Sequence, residues 1–153
     1  MNNQHNFQQT QLLLGSSNEL FNYYQNRGLW ARQVSELRKE CRQWFNTHVQ
    51  PVRIGNREER FVTICVLESG TKLTVRKGFL DETIAKNRFN NRLLETMETA
   101  THFDEWIPNA QFIRTETGLH HSSPFSVYHT SYHGMNVEFK TKDNGQVYTM
   151  RLI

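Results

Sequence analysis

The chain has 153 residues, 37% of them hydrophobic, and a formal net charge of +3. That length holds one domain with a real core and leaves little room for two. No apolar run approaches the roughly 20 residues of a membrane helix, and the start lacks the charged and apolar regions of a signal peptide. The expectation is a soluble globular protein, away from membranes, that folds in the cytoplasm where it is made; delivery into a target cell or with a virion by another route stays open.

Met1 to Gln11 is rich in Asn and Gln and nearly uncharged, so residues 1–15 read as a mobile tail that Leu12 to Leu14 can dock to the core. Residues 16–153 read as a single α+β domain. Ser16 followed by Glu19 matches a capping box, which predicts a short helix from Ser17 to Asn26, broken at Arg27-Gly28. From Leu29 to His48, Trp30, Val34, Leu37, Cys41, Trp44 and Phe45 recur at helical spacing with polar residues on the other sides, the clearest helix in the chain. These two segments make residues 16–50 the helical part. Pro51 ends it, and Gly55 to Arg60 reads as a charged loop.

Arg60 to Leu67 is β-branched and apolar, Ser69-Gly70 is a turn, and Thr71 to Lys77 alternates with Leu73 and Val75 on one face, which predicts a hairpin. Cys41 and Cys65, the only cysteines, both fall at apolar positions and read as reduced core thiols rather than a disulfide scaffold. After Gly78, Leu80 and Ile84, then Phe89, Leu93 and Met97, keep helical intervals, with a kink or split at Lys86 to Asn91. Basic residues gather here: Lys72, Arg76, Lys77, Lys86, Arg88 and Arg92 against Asp81 and Glu82, whereas Glu95 to Glu105 is acidic. A local basic region fits a polyanion, and Arg76, Lys77, Lys86 and Arg88 are the candidate nucleic-acid contacts. Each of them taken singly is equally a solvated helix-face charge. Gln111 to Glu116 is a further short strand, and Thr117 to Ser123 a polar loop carrying His120 and His121.

The C-terminal stretch from Pro124 to Ile153 carries two tight-turn signals, His133-Gly134 and Asn144-Gly145, the latter the strongest short hairpin signal because both residues tolerate the positive φ of a type I′ turn. With two-residue loops, one face takes Tyr132 opposite Met135, Thr130 opposite Val137, Tyr128 opposite Phe139, Phe139 opposite Met150, Thr141 opposite Tyr148 and Val137 opposite Leu152. That face is apolar and belongs on the core. The other face pairs Ser131 with Asn136, His129 with Glu138, Glu138 with Arg151 and Lys140 with Thr149. A polar face on an antiparallel sheet is ordinary in itself. The residue types are less so: a histidine beside a carboxylate, with Lys and Arg next to them, is what acid-base cleavage of a phosphodiester requires.

The order TKLTVRKGF, LLETMETATHFDEWIPNA, QFIRTE, a histidine-bearing loop and a meander ending in VYTMRLI resembles the barnase-EndoU-colicin-RelE-like nuclease superfamily, in particular the small modules of phages, mobile elements and polymorphic toxins, over residues 60–153. The resemblance implies helices packed on an antiparallel sheet whose exposed face cleaves RNA without a metal; no cofactor is expected, and transfer RNA is one candidate among RNA partners. The 2′-hydroxyl attacks the adjacent phosphate, one group takes its proton and another protonates the leaving 5′-oxygen. Carried onto this chain, His129 or Glu138 would transfer protons, Lys140 and Arg151 would hold the phosphate, and Thr149 would orient it. His120 and His121 would swing over the same face as nucleic-acid contact and as acid or base, unless they are simply exposed loop residues. A zinc site from His102, His120, His121 and His129 has no familiar ligand spacing, so no metal is expected.

The expected function is thus a metal-independent ribonuclease, a hydrolase acting as a toxin or phage effector and restrained by an inhibitor or immunity protein. The alternative is a non-catalytic module that binds RNA or a host protein through the same face. A third reading is a virion or accessory protein assembling through its aromatic N-terminal helices.

Overall fold

The structure, a computed structural model, describes residues 29–117 and 123–153. The expected tail and capping-box helix, and His120 and His121, lie outside the described residues. Helix α1 spans Leu29–His48. It buries Val34, Leu37, Cys41 and Phe45, the i, i+3, i+7 and i+11 positions that share one side of a 3.6-residue helix. The Arg60 guanidinium donates to the carbonyls of Asn46 and Val49 and so places a cation where the helix dipole is negative.

Strands β1 (Pro51–Ile54), β2 (Arg57–Cys65) and β3 (Lys72–Arg76) form a three-stranded antiparallel sheet in that order. The charged loop expected over Gly55 to Arg60 is instead a tight hairpin: Ile54 pairs with Arg57 around Gly55, whose φ of 62° is open to glycine without strain. Its exposed residues hide the strand pattern, because backbone pairing rather than burial holds β1. Cys65 also departs from expectation. It is exposed at the end of β2, since alternation buries Ile64 and turns its neighbour outward, whereas Cys41 is buried and its thiol pKa is pushed up chiefly by desolvation.

Helix α2 (Lys77–Asn87) buries Phe79, Leu80 and Ile84, and α3 (Leu93–Ala100) buries Leu93 and Met97. The predicted split falls between them, and Phe89 sits in it, exposed, under the Arg88 guanidinium rather than in the core. Short helix α4 (Phe103–Trp106) and a 3-10 turn (Ile107–Asn109) complete the layer. Trp106 is fully buried and donates its indole N–H to the Thr99 carbonyl at 2.8 Å.

The second sheet runs β4 (Gln111–Glu116), β5 (Phe125–Tyr132), β6 (Met135–Thr141), β7 (Val147–Leu152), antiparallel throughout. Its apolar side, with Tyr128, Val137, Phe139, Val147, Met150 and Leu152, joins the helices and the inner residues of β2 and β3 in one core. Along the outer edge of β7, helix α2 supplies what a further strand would: Asn87 donates to the Met150 carbonyl and the Thr83 hydroxyl accepts the Met150 N–H. Near the other end of that strand, Thr74 of β3 donates to the Gly145 carbonyl, tying the two sheets together. The α+β class with helices on one side of an antiparallel meander is therefore what the chain forms. Among the described residues no helix is long and apolar enough to cross a membrane.

One turn differs from its expected type. His133 and Gly134 both have positive φ, as a type I′ loop needs, but at the second hairpin only Gly145 does. The Gly145 N–H closes a turn on the Lys142 carbonyl and Lys142 pairs with Gln146, leaving a three-residue loop. Thr141 therefore faces Val147, not Tyr148, and a bulge between Lys140 and Thr141 restores the remaining register. Gly145 is doubly constrained, by its φ of 83° and by the Lys72 carbonyl oxygen 3.3 Å from where a Cβ would stand.

Candidate functional site

The polar side of the second sheet is the side opposite the helices. Strand pairing sets His129 against Glu138, Glu138 against Arg151, and Lys140 against Thr149, and on the far side sets Gln111 against His129 and Arg114 against Val127. His129 and Lys140 thus point to the same side, each two residues or one strand from Glu138.

Glu138 is the hub. Its side chain is only 4% exposed, yet Arg151 donates from Nε to Oε1 at 2.9 Å and His129 from Nε2 to Oε2 at 2.9 Å. An Arg114 Nη2 lies 3.8 Å from the same Oε2. Burial pushes the carboxyl up, but hydrogen bonds from His129 and Arg151 and their charges outweigh it, so Glu138 is held below the usual carboxylate range. An ionised carboxylate only accepts, so the His129 Nε2 carries the proton and a neutral ring keeps its lone pair on Nδ1. His129 is itself 34% exposed and so remains reachable from solvent.

Two residues along β6, Lys140 places Nζ 2.9 Å from the Glu116 carboxylate. Arg114 donates to the other Glu116 oxygen at 2.7 and 3.1 Å. Hydrogen bonds first from Lys140 and then from Arg114 hold Glu116 below the usual range. The Thr149 hydroxyl, opposite Lys140, is buried and has no hydrogen-bond partner among the described residues. Arg114 and Glu116 are the residues that reading the meander alone misses, since no turn signal fixes β4 against β5. Their i, i+2 spacing in a strand of charged and polar residues was the available sign that they share a face.

The proposed nucleic-acid contacts are elsewhere. Arg76 pairs with Glu59 at 3.1 Å and lies over Phe61, and Lys86 lies over the Tyr148 ring. Lys77 opens α2 and Arg88 follows it, on the element that packs along β7 against the core residues. They stand on β3 and on or next to helix α2, not on the strands that carry His129 and Lys140. His102, paired with Glu105 at 2.7 Å and stacked on Tyr132, likewise belongs to the helix side of the sheet.

The network carries a pH dependence. Changing Glu138 to Gln replaces hydrogen bonds to an anion by neutral ones, a loss of about 1–2 kcal/mol near neutrality. The folded carboxyl pKa lies below its unfolded value of about 4.3, so the stabilisation is present above that value and disappears as pH falls through the folded one. Urea midpoints of the two proteins will differ at pH 7 and converge in acid; a gap undiminished down the acid limb contradicts the assignment.

Comparison with protein families, with curated proteins and with solved structures finds no match to this chain.

Proposed function

We propose that this chain is a metal-independent ribonuclease of the barnase-EndoU-colicin-RelE-like kind, working on the open face of its second sheet. The observation that carries the reading is the hydrogen-bonded chain from His129 through Glu138 to Arg151. Glu138 is too firmly ionised and too enclosed to be the better base, so its part is to orient and electrostatically support His129. The Nδ1 of His129 would take the proton of the 2′-hydroxyl as that oxygen attacks the neighbouring phosphorus. Arg151 and Arg114 would neutralise the charge gathering on the phosphoryl oxygens. Lys140 lies two residues from Glu138 along β6, a rise of about 7 Å, and its ammonium group would protonate the departing 5′-oxygen. The Thr149 hydroxyl opposite Lys140, buried and without a partner among the described residues, would have to turn outward to donate to a phosphoryl oxygen.

A second reading rests on a specific observation: Glu116 and Glu138 already pair with Lys140, Arg114 and Arg151, as on a face that binds without cleaving. Incubating the purified chain with total RNA and with transfer RNA, with and without EDTA, separates the two. Ribonuclease action predicts shortening of RNA that EDTA does not prevent. Intact RNA with salt-sensitive binding supports a binding module, and salt-insensitive binding a protein partner. A toxin or phage-effector role would further call for an inhibitor protein that covers the His129 face.

A further inference from the structure

We propose that Glu116 is a resident anion at the phosphate position, occupying the cations of the face until a nucleic-acid phosphate displaces it, so that this one side chain sets how tightly RNA is held. The proposal rests on the ribonuclease reading of the same face and adds a determinant of affinity to it.

The geometry is that of a filled anion site. One Glu116 oxygen accepts from Lys140 at 2.9 Å and the other from both Arg114 Nη2 at 2.7 Å and Nε at 3.1 Å. A phosphodiester presents two non-bridging oxygens with a similar bite, and a planar guanidinium together with an ammonium holds either anion. The carboxylate comes from the edge strand β4, at the residue where the strand gives way to the loop before β5, rather than from the strands that carry His129, Lys140 and Thr149. It is about one-third exposed, and the Glu138 carboxylate, by contrast, is almost wholly enclosed. The two carboxylates thus divide the work: Glu138 is built into the sheet, and Glu116 can be exchanged. Arg114 spans both, 3.8 Å from Glu138, so it keeps an anionic neighbour when Glu116 leaves. Because Lys140 and Arg114 begin already neutralised, a bound phosphate releases fewer counterions than their number alone would give.

The test measures binding of a single-stranded 2′-O-methyl oligoribonucleotide, which lacks the attacking hydroxyl and is not cut, over a range of salt concentrations. Glu116→Gln is expected to bind about tenfold more tightly than wild type, the value of roughly one charge-assisted hydrogen bond no longer lost to an internal partner. Its plot of log affinity against log salt should be steeper by about 0.7, the increment for one further phosphate neutralised on a single strand. Glu116→Asp, which keeps the charge, should stay near wild type. So should Glu68→Gln, which removes the same charge from an exposed turn. Thermal unfolding of each variant establishes that it is folded, and Glu116→Ala serves if the glutamine variant is not. Equal binding by wild type, Glu116→Gln and Glu68→Gln overturns the role of Glu116 and leaves the ribonuclease reading standing, as does equal tightening by Glu116→Gln and Glu68→Gln. Weaker binding by Glu116→Gln overturns it too. Absence of binding by every variant overturns the RNA reading of the face, and the proposal with it.

Discussion

Replacing His129 with Gln should lower the rate of RNA cleavage by about 10²–10⁴-fold, the usual contribution of a positioned proton-transfer group. Glutamine retains a donor for Glu138 but cannot exchange a proton near neutral pH. The Glu138 carboxylate therefore stays partnered, with Arg151 still 2.9 Å away, and the fold should be nearly unaffected. Initial rates on a fluorogenic oligoribonucleotide, with a thermal unfolding curve for each protein, measure both halves. A variant that is fully folded and fully active would mean that His129 is an ordinary surface partner of Glu138. Loss of activity together with loss of folding would mean that the imidazole is a structural element instead.

Truncating Phe139 to Ala should cost about 3–5 kcal/mol, a large part of the 5–15 kcal/mol by which a domain of this kind is stable. Phe139 lies between Glu138 and Lys140 on β6 and points the opposite way, fully buried. Its ring stacks on Tyr128 with centroids 5.0 Å apart and meets Trp106 at 5.3 Å, so it joins the middle of the sheet to the helix layer. Truncation there leaves a cavity in the middle of the core, beneath the strand that carries the polar face. Urea denaturation should show a lower midpoint with an unchanged slope. A loss below about 1 kcal/mol, the scale of a surface change, would contradict a core organised around this contact.

The polar face was legible in advance because a strand has a side-chain period of two and a tight turn fixes which residues meet. His133-Gly134 alone placed Tyr132 against Met135 and, from there, His129 against Glu138. The second hairpin reached the predicted pairing of Glu138 with Arg151 by another route. Its loop is one residue longer than expected and a bulge before Thr141 compensates, so Lys140 still meets Thr149 although Thr141 does not meet Tyr148. Two local errors of opposite sign cannot be read from Asn144-Gly145, whose composition suits either loop.

What could not be read was whatever depended on contacts between distant segments. Arg114 and Glu116 reach the face only because β4 pairs with β5 across a loop that has no turn signature. Strand β1 has exposed Val52 and Ile54 and no buried face to announce it. The basic stretch from Lys72 to Arg92 is compact in sequence, but it folds as a strand followed by helix α2, with Arg76 engaged by Glu59 and Lys86 lying over the Tyr148 ring. Cys65 shows the same limit on a small scale. An apolar run suggests burial at every position, and pairing of β2 with β3 buries only alternate ones.

The most direct measurement is of the ends left on RNA cut by the purified chain in the presence of chelator. Attack by the 2′-hydroxyl, with His129 as base and no metal, predicts 2′,3′-cyclic phosphate on one fragment and a free 5′-hydroxyl on the other. Fragments ending in 5′-phosphate and 3′-hydroxyl, or RNA left intact, would contradict it.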